Sequence, residues 1–282
     1  MQQVHNVGGI PVHIYSNSNT FKFSKPVVIC FFLHGRGSSI GALLPHIQRT
    51  LQACSSGDEL NKDLIVATFD HRNHGHRLIE ERANQGWNGD QSKSNSKHAI
   101  DMYTMQAGTA RDISFLIDFL PAYLFPNGET KIAEWGVAGI SLGGHSTWIT
   151  LCQEPRVTFG IPIIGCPDFL RLMSARAEKF GIPLEGSEYL PDSALDVIRR
   201  DDPAFAPYQR SDSSNPFWGK KILILSGGSD TLVPRDASEY FIEGLEVGEG
   251  TKEVMIQPGA GHEYTKEMEA KLNKFLLEKV LV

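Results

Sequence analysis

Short apolar runs alternate with amphipathic stretches along this chain, and the alternation predicts its fold class. The apolar runs cover residues 27–33, 64–69, 136–140, 159–164, 222–225 and 253–256. Each is short enough to be a buried strand. Between the runs, apolar residues recur at helical spacing, for example at Ile113, Leu116, Ile117 and Leu120. This pattern is typical of an α/β protein in which a mostly parallel central sheet carries helices on both faces.

The periodicity also predicts individual elements outside the central strands. Residues 9–15 alternate between apolar and polar positions, which predicts an antiparallel hairpin at the edge of the sheet. Pro121 is expected to end the helix that contains Leu120. Met268 and Leu272 begin an apolar stripe that predicts a C-terminal helix.

Two segments interrupt the alternation. Residues 84–98 are polar and rich in glycine, which predicts a long loop after the second central strand. Residues 167–218 separate the fourth run from the fifth and carry helical spacing near Phe169 and again near Leu195. We expect this insertion to form a helical lid over a site at the strand ends. A packed excursion with no gating role fits the same pattern.

Composition and charge narrow the class of protein. The chain has 282 residues, of which 41% are hydrophobic and 21% charged, and it shows no clear linker. We therefore expect residues 1–282 to form a single domain. The net charge is −6 and no basic block occurs, which argues against nucleic acid or an anionic membrane surface as a partner.

The sequence also indicates a location for the protein. No apolar run reaches the length of a membrane span, and the first twenty residues lack the pattern of a signal peptide. The four cysteines are widely spaced, which favours free thiols over a disulfide framework. These features together predict a cytoplasmic protein.

The chemistry of the chain centres on a serine between two glycines. Gly139, Ser141 and Gly143 form a G-x-S-x-G motif at the point where the apolar run 136–140 meets a predicted helix. At such a strand-to-helix turn only small neighbours avoid a clash, and the serine hydroxyl is pushed out at the carboxyl edge of the sheet. The motif therefore predicts that Ser141 is an exposed nucleophile.

A serine hydroxyl needs a base to accept its proton, and the base needs an orienting carboxylate. His262 follows the sixth apolar run, and Asp230 follows the fifth. Because parallel strands end at one edge of a sheet, we expect both side chains to lie near Ser141. Asp168, after the fourth run, is an alternative acid, whereas Asp236 is expected to cap a helix.

Two further motifs complete a resemblance to a known family. Residues 34–37 read His-Gly-Arg-Gly after the first central strand, which is similar to the H-G-x-G oxyanion loop. Residues 70–75 read Asp-His-Arg-Asn-His-Gly, which looks like a D-x-R-x-H-G loop. With the chain order Ser, Asp, His, the chain resembles the α/β-hydrolase superfamily over residues 26–280. Within it, the chain looks most like esterases and the dienelactone-hydrolase and prolyl-oligopeptidase-like branches.

The resemblance implies a role for each site residue. Ser141 would be the nucleophile, His262 the general base and then the general acid, and Asp230 the orienting carboxylate. The backbone N–H groups of Leu142 and Arg36 would bind the oxyanion. His34 and Gly35 would lie beside the substrate, together with residues of the insertion 167–218.

The resemblance also implies an activity without cofactor or metal. A serine hydrolase would cleave a small carboxylic ester through an acyl-enzyme on Ser141, and a thioesterase or a serine peptidase or amidase would use the same groups. A non-catalytic ligand-binding protein of the same fold is the competing class. The spacing of His71, His74 and His76 matches no standard zinc site. His145 is expected to have a packing role.

The charge on Arg36 leaves two interpretations open. Its guanidinium is predicted to lie beside the nucleophile, where it could pair with a carboxylate on the substrate. It could equally pair with a structural acid such as Asp70 or Glu80.

Overall fold

The computed structural model describes residues 1–18, 20–55 and 60–282. The strands of these residues form one eight-stranded sheet in the order β1-β2-β4-β3-β5-β6-β7-β8. They are β1 (Gln2–Val7), β2 (Ile10–Ser16), β3 (Val27–Leu33), β4 (Asp63–Thr68), β5 (Ile132–Ile140), β6 (Val157–Ile163), β7 (Lys221–Gly227) and β8 (Thr251–Gln257). Strands β1 and β2 pair antiparallel at one edge, β2 pairs antiparallel with β4, and β3 through β8 run parallel to one another. The predicted α/β class, with its edge hairpin, is confirmed.

Helices connect the parallel strands. The α-helices of the described residues are α1 (Ile40–Ala53), α2 (His98–Leu124), α3 (Leu142–Gln153), α4 (Phe169–Glu178), α5 (Asp192–Asp201), α6 (Glu239–Gly244) and α7 (Lys266–Phe275). A π-helical turn, Leu276–Val280, continues α7. None of these helices is both long and apolar enough to cross a membrane.

The central strand β3 shows why the sheet is covered on both faces. All seven of its residues are buried. Its odd-numbered residues share a hydrophobic cluster with α2 and α3, and its even-numbered residues share another with α1 and α7. Successive side chains of a strand point to opposite faces, so a continuous apolar run requires a helical layer on each side. The carboxyl ends of the parallel strands lie along one edge of the sheet. The loops that follow β3, β5, β7 and β8 emerge at this edge.

Helix α2 extends beyond the predicted apolar stripe in both directions. It begins at His98, far before the amphipathic stripe. The sequence pattern did not reveal this first part, because residues 105–110 are all buried and show no helical alternation. Pro121 does not end it: the helix continues to Leu124, and the N–H of Phe125 donates to the carbonyl of Pro121 at 2.8 Å. A proline this near the end removes one backbone hydrogen bond. Burial of Leu124 and Phe125 in the core offsets that loss.

The insertion 167–218 contains two helices, as its spacing predicted. Helices α4 and α5 share a hydrophobic cluster with the first half of α2, with Trp87 and with Leu142. The insertion therefore belongs to the same hydrophobic cluster as Leu142, the residue that follows Ser141. The predicted loop before α2 is also present, with only a short 3-10 turn, Gln91–Lys93, between Gln85 and Lys97.

Candidate active site

Ser141 occupies a strained turn between β5 and α3. Its φ is +56° and its ψ is −108°, in a region that residues other than glycine rarely adopt. A Cβ atom on Gly139 would overlap the carbonyl of Gly143, and a Cβ atom on Gly143 would lie 2.6 Å from the carbonyl oxygen of Leu33. The two glycines are therefore required by close backbone approach. Strain of this kind costs roughly 1–3 kcal/mol and is typical of functional sites.

A chain of hydrogen bonds joins three distant side chains at the carboxyl edge of the sheet. The Oγ atom of Ser141 lies 2.8 Å from Nε2 of His262, and Nδ1 of His262 lies 2.7 Å from Oδ2 of Asp230. A carboxylate only accepts, so Nδ1 carries the proton and Nε2 is free to accept the Ser141 hydroxyl. The His262 side chain is 20% exposed, so a substrate can approach it from solvent. The structure brings together the three residues that the motif order singled out.

The surroundings of Asp230 hold it in the ionised form. Its Oδ1 atom accepts from the N–H groups of Leu232 and Val233, each at 2.9 Å. Burial raises the pKa of Asp230, but the bonds from His262 and from these two N–H groups outweigh burial and hold the pKa below its ordinary value. Both carboxylate oxygens therefore have fixed partners.

Two backbone N–H groups beside Ser141 have no acceptor within the described part of the chain. They belong to Leu142, the first residue of α3, and to Arg36, in the loop after β3. The first N–H groups of a helix have no partner within the helix. A bond of 3.2 Å from the N–H of Gly143 to the carbonyl of His34 ties the two segments together. An ideal Cβ on Gly35 would lie 3.6 Å from Cβ of Ser141, so this loop passes next to the hydroxyl.

The side chain of His34 supports this loop from below. It is fully buried, its Nδ1 lies 2.8 Å from the carbonyl of Gly35, and its Nε2 accepts the N–H of His71 at 3.1 Å. In turn Nε2 of His71 donates to the carbonyl of His34 at 2.9 Å, and its Nδ1 lies 2.7 Å from the hydroxyl of Thr109. Burial lowers the pKa of His34 to about 4, so this ring is neutral at neutral pH. With both ring nitrogens engaged, His34 holds the backbone of the loop.

The alternative acids lie elsewhere. Asp168 is the N-cap of α4 and accepts the N–H of Arg171 at 2.9 Å, whereas the imidazole of His262 is bonded to Asp230. The prediction that Asp236 caps a helix was wrong. It lies inside a 3-10 turn, Arg235–Ala237, and the cap position before α6 falls to Ser238.

The other histidines considered from the sequence form hydrogen bonds with protein atoms. His145 is buried, and its Nδ1 accepts the N–H of Cys166 at 2.8 Å. Of the His71, His74 and His76 cluster, His76 pairs with Asp70 at 2.9 Å. Across the described residues, no group of three or more His, Cys, Asp or Glu side chains is placed to hold a metal ion.

Arg36 does not pair with either structural acid considered from the sequence. Its Nη1 atom donates to the backbone carbonyl of Asn84 at 3.1 Å. Asp70 is occupied by the N–H groups of Ile40 and His76 and by the His76 ring. A second arginine, Arg176 of α4, also reaches the site and was missed, because nothing in the helical spacing of the insertion marks it.

Neither a family model nor a curated protein sequence matches this chain. Solved structures do match. TT1662 from Thermus thermophilus has a TM-score of 0.68 at 18% identity, over 98% of this chain and 96% of that one. Est1E from Butyrivibrio proteoclasticus has a TM-score of 0.59 at 16% identity, over 99% and 98%.

A longer protein, the acylaminoacyl peptidase of Pyrococcus horikoshii, matches all of this chain with 42% of its own, at 12% identity and a TM-score of 0.60. At these identities the likeness concerns the fold. The order of the strands, the strained serine turn and the structural neighbours all indicate the same fold. This chain has the α/β-hydrolase fold.

Proposed function

We propose that this protein is a serine hydrolase that cleaves a carboxylic ester through an acyl-enzyme on Ser141. The observation that carries the proposal is the unbroken chain of hydrogen bonds from Ser141 through His262 to Asp230. The strained serine turn supports it, because such strain is retained where it serves a function.

Each step follows from the groups at the site. As Oγ of Ser141 attacks the ester carbonyl, His262 takes the hydroxyl proton, and Asp230 stabilises the imidazolium that forms. The N–H groups of Leu142 and Arg36 donate hydrogen bonds to the developing oxyanion, and one such donor contributes about 2.7–4 kcal/mol to the transition state. His262 then gives its proton to the leaving alcohol. Water, activated by the same imidazole, releases the acid and restores Ser141.

We further propose that residues 167–218 cover the site and shape its pocket. Their helices pack against Leu142 through a shared hydrophobic cluster. Arg176 of α4 donates from Nη2 to the carbonyl of Leu232 at 2.8 Å, within the loop that carries Asp230. The cover is thus joined to both the nucleophile turn and the acid loop.

The choice of an ester follows the analogy with Est1E, which matches this chain over 98% of its own length. An S-formylglutathione hydrolase from Agrobacterium tumefaciens, whose named substrate is a thioester, matches over 91% of its own length at 15% identity and a TM-score of 0.59. The peptidase neighbour matches through part of its length. A thioester or an amide would be attacked by the same groups, so the assay must include all three.

The test combines covalent labelling with turnover. A fluorophosphonate probe should label the wild-type protein and the control Ser55→Ala, whose exposed hydroxyl lies at the end of α1, but not Ser141→Ala. p-Nitrophenyl esters with acyl chains of two to twelve carbons should be hydrolysed, and faster than matched thioesters and anilides. Labelling without turnover of any of these compounds would favour the ligand-binding class. Equal labelling of Ser141→Ala would refute the proposal.

A further inference from the structure

Two arginine side chains lie at the proposed site without an acidic partner. Arg36 donates from Nη1 to the carbonyl of Asn84 at 3.1 Å, and Arg176 donates from Nη2 to the carbonyl of Leu232 at 2.8 Å. Both acceptors are uncharged. Within the described ranges 1–18, 20–55 and 60–282, neither guanidinium has an Asp or Glu oxygen within 4.0 Å. Each is partly buried, and a buried cation is disfavoured unless an anion pairs with it.

The two guanidinium groups share one neighbourhood at the catalytic edge. Arg36 belongs to the loop beside Ser141, and Arg176 contacts the loop of Asp230. Burial and the charges of both arginines lower the pKa of His98 to about 3. Burial, followed by repulsion from Arg36, lowers the pKa of Arg176 to about 10. The two cations therefore repel each other, and no carboxylate of the described residues forms an ion pair with either of them.

Asp230 cannot be the missing anion. Its Oδ1 atom is taken by the N–H groups of Leu232 and Val233, and its Oδ2 by His262. Its charge acts favourably on Arg176, but neither of its oxygens forms a hydrogen bond or an ion pair with an arginine. Since no described carboxylate pairs with either arginine, a bound molecule is the source of a pairing anion that we consider next.

Buried polar atoms around the arginines are also unpartnered. Nε of Arg176, Nε1 of Trp87 and Nδ1 of His98 are buried and have no hydrogen-bond partner among the described residues. The ring centroids of Trp87 and His98 lie 5.1 Å apart in an edge-to-face contact, so these two side chains are neighbours. Buried polar groups in native proteins are almost always satisfied, by protein, by water or by ligand. Nε of Arg176 and Nε1 of Trp87 are N–H donors without an acceptor, and such donors near two unpaired cations are the surroundings that a carboxylate would fit.

We propose that Arg36 and Arg176 bind a carboxylate of the substrate, so that the enzyme prefers esters that carry a negative charge. A guanidinium presents paired N–H donors that match the two oxygens of a carboxylate. The inference rests on the proposed function, because the charge is read on a substrate that Ser141 attacks.

The experiment compares esters that differ in charge but hardly in shape. Monophenyl glutarate and phenyl valerate differ by a carboxylate on the acyl half, and 3-acetoxybenzoate and 3-methylphenyl acetate by one on the alcohol half. Release of the phenol is followed by absorbance, and rates are corrected for spontaneous hydrolysis. We expect kcat/KM to be at least tenfold higher for the charged member in one of the two pairs.

Three variants connect the preference to the two arginines. Arg36→Gln, which retains the backbone N–H, and Arg176→Gln should each reduce the ratio of charged to neutral kcat/KM at least tenfold. Arg171→Gln removes the same charge from an exposed position of α4 and should leave the ratio unchanged. The wild-type comparison does not depend on the folding of any variant.

The outcomes separate this inference from the proposed function. If the neutral esters are hydrolysed and Ser141 is labelled, but neither pair shows a preference, the inference is overturned and the hydrolase proposal stands. A preference that survives both substitutions also overturns it. If no ester is hydrolysed and no label is attached, the proposed function itself fails.

Discussion

Replacement of Asp230 by asparagine tests the orientation of His262 with the least change in shape. In the native site, Oδ1 accepts two backbone N–H groups and Oδ2 accepts the proton on Nδ1 of His262. In Asp230→Asn the amide oxygen must face the N–H groups of Leu232 and Val233, because an NH₂ group there would oppose two donors. The amide NH₂ then faces Nδ1, which must become an acceptor. The proton moves to Nε2, where it blocks the proton transfer from Ser141.

The magnitude of the effect follows from this change of tautomer. A wrongly protonated imidazole in such a triad lowers kcat by about 10⁴. That factor corresponds to roughly 5 kcal/mol of transition-state stabilisation. Steady-state kinetics on p-nitrophenyl acetate measure the loss, and thermal unfolding followed by circular dichroism checks that the variant is folded.

Asp168→Asn is the matched control for this experiment. Asp168 is an N-cap, and asparagine caps a helix as well as aspartate does, so the substitution preserves the fold. We expect kcat of this variant to lie within about threefold of wild type, because the asparagine still accepts the capping hydrogen bond and a substitution that keeps such a bond has a small effect. If Asp230→Asn kept kcat within tenfold of wild type and Asp168→Asn lost it, the reasoning about the acid would be refuted.

The other predictions concern the turn and the buried histidines. Gly143→Ala would place a Cβ atom 2.6 Å from the carbonyl oxygen of Leu33. We therefore expect the free energy of unfolding to fall by about 1–3 kcal/mol and kcat to fall strongly. In the control Gly89→Ala the new Cβ atom meets no other atom, so neither quantity should change. Urea unfolding and ester kinetics test this, and a fully active Gly143→Ala would contradict the close packing. Burial lowers the pKa of His145 to about 3, so the unfolded state binds a proton there below about pH 6.5 that the folded state does not. The free energy of unfolding should therefore fall as the pH drops, by roughly 2 kcal/mol from this residue between pH 7 and pH 5. In urea titrations, His145→Gln should make the free energy of unfolding less dependent on pH. If the pH dependence were the same as in wild type, the His145 ring would be protonated in the folded protein as well.

The central strands could be predicted because burial on both faces leaves a continuous apolar run. Strand β3 spans the same residues, 27–33, that the run predicted. The first half of α2 could not be found in this way, since a helix buried on all sides has no amphipathic period. Helix α1, which contains Pro45, has no counterpart among the helices that the sequence pattern predicts.

The convergence of the site residues was predictable from topology. Ser141, Asp230 and His262 each follow a parallel strand, and such strands end at one edge. The support of the loop 34–37 by His71 was not predictable, because it depends on hydrogen bonds between the loops after β3 and β4, which residue spacing does not encode. Arg176 was missed for a similar reason: whether an arginine on an amphipathic helix meets an acid or a backbone carbonyl depends on the packing of that helix.

The most direct test of the central claim is to trap the acyl-enzyme. Wild-type protein is mixed with p-nitrophenyl acetate, quenched in acid within the first turnover, digested and analysed by peptide mass spectrometry. We predict an acetyl group on Ser141, and its absence in His262→Gln at the same time point, because the hydroxyl then lacks its base. An acetyl group on any other residue at the first turnover, or equal acetylation of Ser141 without His262, would contradict the account.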